Sequence, residues 1–563
     1  MLSGEIKMPT KFLLQKSASL LLILCLLGPV KHGAAQVVWE YHGKEIYNYL
    51  TRMAQKGLVV FDDNIRPLSR KYLADCLDSL SLKSTRLSAV EQKELAFYLQ
   101  EYGLEKATPG VSDTIRPRFL KFDPYHRWRS FYAVGQGIVL MADPVFTAST
   151  VHGTGKSFNR SSSGLHFWGQ AGRHWGFQFF YHDITESGTG IDFLKQGTSE
   201  PGYDRRDTTR RKSLNYTPFR GNISYAFRNG SLSVGQDHLL WGYGENGRIV
   251  LSDKAPAYPY IRFDYHPFPW LRFNYVHAWL NSNMVDSANT IINPSGAGVF
   301  GGVRESYIPK FMATHSLSVK PFKGIELALG ESIVYSDRLD VGYLFPLMFF
   351  KVYDNIVNNG NINAGSNGQL FAQISSRNNL PKTHLYGSLF IDEIRLSALF
   401  DRAKSRNQVG ITLGGSVTDV IVPYLTLGLE YTRIQPFVYR NLIPTQNYTS
   451  HDYSLGDWMG MNSDRLIYTV KYTPIPKLKC IFRYQSTRKG GDGTIAQQYL
   501  IQPQPPFLFD LQRLQKEIYW QVSYEWLNNL SLNAYFSTQK NDDRITLQKT
   551  TVTTASIGFT YGL

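Results

Sequence analysis

Residues 466–485 spell out a hairpin in which one side of each strand is greasy. Leu466, Tyr468, Val470 and Tyr472 alternate with Ile467, Thr469, Lys471 and Thr473. Pro474-Ile475-Pro476 turns the chain, and Leu478, Cys480, Phe482 and Tyr484 then alternate with Lys479, Ile481, Arg483 and Gln485. Side chains along a strand point to opposite faces with a period of two, so each strand has one apolar and one mostly polar face. The unit recurs through the C-terminal two-thirds of the chain, with short turns at one end of the strands and long polar loops at the other. That pattern is the signature of a transmembrane β-barrel. An aromatic content of 14% fits lipid-facing strands and interfacial girdles.

The N-terminus fits export. Lys7, Lys11 and Lys16 precede the apolar run 20–27, and Gly33-Ala34-Ala35 offers a small-residue cleavage site. Residues 1–35 therefore read as a secretory signal peptide. Leu24 before Cys25 argues against lipidation. No other stretch approaches the roughly 20 apolar residues of a membrane helix, so spanning falls to strands. Losing the four lysines and one glutamate of residues 1–35 lowers the formal net charge from +15 to +12. Only Cys76 and Cys480 remain, with no expected disulfide, metal site or other cofactor. A basic exported protein points to an anionic partner, either lipopolysaccharide or an acidic surface polysaccharide. Nucleic acid is excluded by compartment. Outer-membrane lipid surrounds the wall, and a monomer is expected.

Residues 36–110 change period. Ile46, Tyr49, Leu50 and Met53 lie at helical spacing before Gly57, and Leu73, Leu77 and Leu80 mark a second helix after Arg66-Pro67-Leu68-Ser69-Arg70. Ser88 and Glu91 have capping-box spacing before a third helix through Leu95, Tyr98, Leu99 and Tyr102. This predicts a small helical module, placed in the periplasm, ahead of a barrel over 127–563. Eight tight turns, from Gly172-Arg173-His174 to Asn528-Asn529, join sixteen strands. An entry strand near 130–141 and an exit strand at 555–563 raise the count to about eighteen. Alternation assigns Ile261, Phe263, Tyr265, Leu271, Phe273, Tyr275, Trp279, Trp520, Val522 and Tyr524 to lipid. It assigns Arg262, Asp264, Arg272, Asn274, Gln521, Glu525 and Asn533 to the lumen. Charges of both signs inside predict a crowded, ion-paired interior rather than an open pore.

Enzymatic motifs are weak. Gly153-Thr154-Gly155-Lys156-Ser157 resembles the end of a phosphate loop, but Thr150 stands where its first glycine belongs. There is no His-Glu-x-x-His and no Gly-x-Ser-x-Gly, and Asp337, Asp340 and Asp392 read as ordinary rim acids. A non-enzymatic protein is expected. Two segments have binding chemistry. Arg205, Arg206, Arg210 and Arg211 make a basic loop tip suited to carboxylate or phosphate, or simply to solvent. The run 235–253 leaves a strand with four glycines among residues 242–247 and upstream, and places Trp241, Tyr243, Arg248 and Asp253 together. Aromatic faces there can stack on sugar rings while the charged groups bind hydroxyls and carboxylates; they serve equally well as girdle and turn residues.

The same run carries a resemblance. Trp241-Gly242-Tyr243-Gly244 followed by Ile249-Val250-Leu251-Ser252-Asp253 resembles the Wzi-type capsule-assembly proteins. Arg338-Leu339-Asp340 with Tyr343-Leu344-Phe345-Pro346-Leu347 is similar to another stretch of that family, as is the segment 46–73. The resemblance implies an eighteen-stranded outer-membrane barrel closed to passage, a periplasmic helical bundle, and a lectin-like outer surface that anchors capsular polysaccharide. A diffusion or substrate channel is the rival expectation, and an outer-membrane hydrolase a more distant one. They differ in whether the loop after Leu240 and the segment 344–356 fold into the bore.

Overall fold

The computed structural model describes residues 37–105, 115–204, 212–293, 302–358, 365–393, 401, 406–527 and 529–562. Among them, eighteen antiparallel strands close into a barrel. The first five are β1 (Ile138–Gly153), β2 (Lys156–Ala171), β3 (Trp175–Thr189), β4 (Phe219–Phe227) and β5 (Gly230–Asp237). Next come β6 (Tyr258–Phe268), β7 (Leu271–Val285), β8 (Tyr307–Phe322), β9 (Ile325–Ser336) and β10 (Asn367–Arg377). After them run β11 (Thr383–Glu393), β12 (Gln408–Thr418), β13 (Leu425–Ile434) and β14 (Ser463–Tyr472). The last four are β15 (Leu478–Gly490), β16 (Leu511–Leu527), β17 (Leu530–Asp543) and β18 (Gln548–Tyr561). Closure is made by β18 against the second half of β1, from Tyr561 opposite Phe146 to Thr554 opposite Gly153.

The expected entry strand at 130–141 is corrected. Those residues straddle a turn, because Trp128–Gly135 closes a short hairpin with Arg116–Phe122 and then pairs with the first part of β1. The first outer loop is also shorter than expected. Thr154-Gly155 alone joins β1 to β2, with Gly153 paired to Lys156. The segment that mimics a phosphate loop is therefore a hairpin with no helix behind it.

The N-terminal helices form where their caps lie. Helix α1 (Ile46–Gln55) stops before Gly57, whose φ of +69° suits the residue without a Cβ. In α2 (Arg70–Ser81) the Ser69 hydroxyl accepts from Tyr72 N, and in α3 (Ala89–Glu101) both bonds of the Ser88/Glu91 capping box are present. Leu50, Met53, Leu73, Leu77 and Leu95 meet in one core. This module sits at the short-turn end. The signal segment 1–35 lies outside the described residues.

Alternation sorts the wall largely as expected. Arg262 and Asp264 face inward and pair at 2.7 Å, while Phe263 and Tyr265 face outward. Trp520 is 53% exposed on the outer face and Gln521 lines the interior. One outward residue breaks the pattern. Tyr275 is 2% exposed because Tyr343 and Phe350 cover it. Those two belong to the segment after β9, which contains a 3-10 turn (Val341–Leu344) and helix α4 (Phe350–Val357) and packs on the outside of the wall.

The register predicts that Trp520→Lys, a charge on the lipid face, costs about 2–4 kcal/mol of folding free energy near the bilayer midplane. Gln521→Lys, one residue along and inside, should cost much less. Denaturant titration of folding into vesicles compares the two. Equal losses would mean that the faces are assigned wrongly.

Candidate functional site

Two segments enter the lumen from opposite ends and meet. The chain leaving β5 turns inward, helped by Gly242 at φ +90°, and Leu240–Trp241 pairs with Ile65–Arg66 of the module. The Gly242 amide donates to Asn64 O at 2.8 Å, and Asp253 pairs with His42 at 3.2 Å. A second inward loop, 435–462, locks the first. Tyr439 OH donates to Ile249 O at 2.7 Å, Tyr448 OH to Val250 O at 2.9 Å, and Trp458 Nε1 to Asn246 O at 2.6 Å. A Cβ on Gly247 would collide with the Asp457 carboxylate, so this close approach requires glycine. Trp241, Ile249, Leu251, Tyr439, Tyr448 and Leu455 share one apolar core.

Charged pairs hold the module against the wall. Arg52 binds Glu91 at 2.5 Å and also Asp419, while its Nε donates to Thr418 at 2.9 Å. Asp62 accepts from Arg272 at 2.7 Å and from Lys320. Asp63 sits between Arg66, at 2.5 Å, and Arg377. Burial alone would raise the Asp63 carboxyl, but the two guanidiniums outweigh it and hold it far below the ordinary carboxylate range. Burial likewise opposes Glu101, and Arg129, Arg127 and Arg70 hold it down. For Asp253, the hydrogen bond and charge of His42 overcome burial in the same direction. The crowded, ion-paired interior expected from the lumen charges is present.

Beside the plug remains a cavity of about 710 Å³, reaching from Asn48 on α1 to Lys156 at the long-loop end. Tyr243, Arg248 and Asp253 line it. Arg248 makes no ion pair among the described residues; its guanidinium donates to Gly242 O. Burial first, then the charge of Arg66, lowers it to about 10, so it remains a cation at neutral pH. Trp241 is corrected. At 1% exposure and edge-on to Phe371 at 5.8 Å, it has no open face for a sugar and instead anchors the plug. Arg205, Arg206, Arg210 and Arg211 lie outside the described residues. Sequence reasoning missed Lys254, which clamps the loop 195–200 by donating to the carbonyls of Lys195, Thr198 and Glu200. Burial lowers its ammonium to about 8 against the pull of Glu200 and Asp192. It missed Asp63, Asn64 and the loop 435–462 as well, because a polar coil gives no sign of its destination.

The family model for the capsule assembly protein Wzi matches residues 197–548. No curated protein matches the chain. Among solved structures, the fold is similar to that of Wzi from Escherichia coli, described as an outer membrane protein involved in group 1 capsule assembly and a carbohydrate-binding β-barrel. The two share 14% identity with a TM-score of 0.58, over 94% of this chain and 100% of that one. OccK3 of Pseudomonas aeruginosa aligns at 12% identity and TM-score 0.42, over 75% of this chain and 95% of its own.

The depressed carboxyls set a pH window for docking of the module. Carboxyls titrate near 4 when unfolded, and Asp63, Glu101 and Asp253 titrate lower when folded, so their contribution is complete above about pH 4 and is lost only as pH falls further. Cys76, buried in the core of the module, where burial pushes its thiol up to about 12, reports opening of the module once its pairs with the wall are lost. In a Cys480→Ser background, labelling by a dipyridyl disulfide should begin only well below pH 4. Arg377→Ala removes one partner of Asp63 and should cost on the order of 3 kcal/mol, moving the onset upward. An unchanged onset would show that this pair does not hold the module.

Proposed function

The chain belongs to the Wzi capsule assembly family, and we propose that it holds acidic surface polysaccharide at the long-loop end of an outer-membrane barrel. In this reading residues 1–35 direct export, the short turns and helical module face the periplasm, and the long loops face the cell surface, as short and long connections do in outer-membrane barrels. The protein acts as a monomer, by binding rather than by catalysis. The observation that carries the reading is Arg248, a buried cation with no carboxylate partner among the described residues, which borders a polar cavity at the plug. A guanidinium so placed offers charge-assisted, bidentate bonds to a uronate or a substituent acid of a glycan. Tyr243 lines the same cavity but is buried against His384 and Tyr386, and Asp253 fixes the plug through His42. Weak single contacts repeated along a polymer give retention through avidity. The basic tip Arg205, Arg206, Arg210 and Arg211 is a second contact for the same polymer.

Arg248→Ala should weaken binding of the purified barrel to acidic capsular polysaccharide by roughly 10- to 150-fold, the loss of a charge-assisted bond worth roughly 1.5–3 kcal/mol. Added salt should weaken wild-type binding, and the variant, which keeps the basic tip, should retain part of that dependence. Cells with the variant should shed polysaccharide while barrel abundance stays normal. Undiminished binding by a folded Arg248→Ala protein would exclude this cavity and move the site to residues 205–212.

A conduit is the second reading, favoured by the reach of the cavity from Asn48 to Lys156. The plug and module leave no place for a wide bore. Planar-bilayer recordings of the purified protein should therefore show no steady porin-like conductance, and a stable open channel would replace anchoring with transport.

A further inference from the structure

The outward face of β7–β9 is unusually polar for a wall that meets lipid. By register, Tyr275 lies opposite His315, and His315 opposite Glu331. These positions share the face that carries Leu317 and Leu329 lower on the same strands, which are bare at 46% and 67% exposure. His277 lies on this face too, its Nε2 bonded to Tyr335 OH at 2.8 Å. Ionisable groups facing hydrocarbon are costly unless something covers and bonds them.

The segment after β9 does both. The Glu331 carboxylate accepts from the backbone N–H groups of Phe350, at 3.0 Å, and Lys351, at 2.5 Å, and so caps the N-terminus of α4. Tyr275 OH donates to Tyr343 O at 2.8 Å. Asp354 accepts from Tyr343 OH at 3.1 Å and from Ser366 N at 2.8 Å, while Asp340 accepts from Tyr353 OH at 2.8 Å. The inner side of the segment is thus polar and bonded. The other side is open and largely apolar: Phe345, Phe349, Val352 and Ile356 are 54%, 71%, 57% and 70% exposed, with Lys351 and Asn355 as the exposed polar residues of α4.

We propose that residues 337–358 form a strap embedded in the bilayer leaflet at the long-loop end, its outer face in contact with lipid acyl chains. Continuity with the wall supports lipid as the occupant. The apolar outer side of the strap takes over where it covers Tyr275 and His315, and the bare leucines resume directly below. Depth supports it as well. Glu331 lies five positions below Ser336, which at ~3.4 Å per residue and a tilt of ~40° is on the order of 13 Å below the outer end of β9, level with the bare outward Leu370 of β10. A helix end at that depth has no water to satisfy its N–H groups, and the Glu331 cap meets that requirement.

The test uses the full-length protein in liposomes, with Cys76→Ala and Cys480→Ala as background. Spin labels are placed singly at Phe349→Cys and Val352→Cys, with Leu329→Cys as the lipid-facing reference and Thr546→Cys, in the exposed outer turn after β17, as the aqueous one. Collision rates with oxygen, which partitions into lipid, and with a water-soluble nickel chelate are then compared. The expected result is an oxygen-to-nickel ratio at 349 and 352 within about twofold of that at 329. A ratio like that at 546 would place the strap in water and overturn the proposal. Shielding from both reagents would mean that another protein surface covers it, which overturns the proposal too.

Discussion

An eighteen-stranded barrel encloses more space than its own side chains can fill, and the rest of the molecule follows from that constraint. A bore of this width must hold water or be filled by other chain. Here it is filled from both ends, by the helical module and by the loop after β5. The two meet at the short pairing of Ile65–Arg66 with Leu240–Trp241. Each leaves backbone groups that the other satisfies, such as the Gly242 amide on Asn64 O. Losing either would leave the other's backbone groups unpaired, and an unpaired backbone group away from water costs free energy comparable to a lost hydrogen bond.

Filling a polar bore with chain has an electrostatic consequence. Lumen positions on the strands are charged so that they can be wet, and whatever displaces the water must pair them. The module does so residue by residue: Asp62 with Arg272 and Lys320, Asp63 with Arg377, Arg52 with Asp419, Glu94 with Lys479. Such pairs add little net stability over an apolar contact, but each is costly to break singly. They therefore fix where the module sits more than how tightly it is held. Against this background Arg248 and Lys254 are buried cations that meet no carboxylate among the described residues.

Much of the fold was legible in the residues because it is set by local rules. The capping box at Ser88/Glu91, the helix stop at Gly57 and the period of two at 466–485 each encode a local geometry that the structure keeps. The strand count survived a misplaced entry strand because tight turns mark hairpins independently of strand ends. The candidate site was legible only in part. The run around Trp241 departs from the strand pattern in the sequence, yet its aromatic ring packs on Phe371 instead of facing outward. Composition cannot separate a stacking platform from a core residue, since both need a large apolar face. The difference lies in where a glycine-rich loop goes, and that depends on long-range partners such as Tyr439 and Tyr448.

Tyr275 shows the same limit from the other side of the wall. Alternation placed it toward lipid, and its direction is indeed outward, but direction is not exposure. Around it the outer face carries His277, His315 and Glu331, residue types that belong in a lumen. Where period-two patterning puts polar groups on both faces of neighbouring strands, either the register is wrong or a further segment lies over one face. The ladder from β7 to β9 leaves no room for a slipped register, since Phe273 to Trp279 and Phe311 to Leu317 pair without interruption. A covering segment is the remaining solution, and α4 with the preceding turn supplies it. The barrel thus uses one device on both faces: where strand residues cannot meet their surroundings directly, a connecting loop folds back and meets them first.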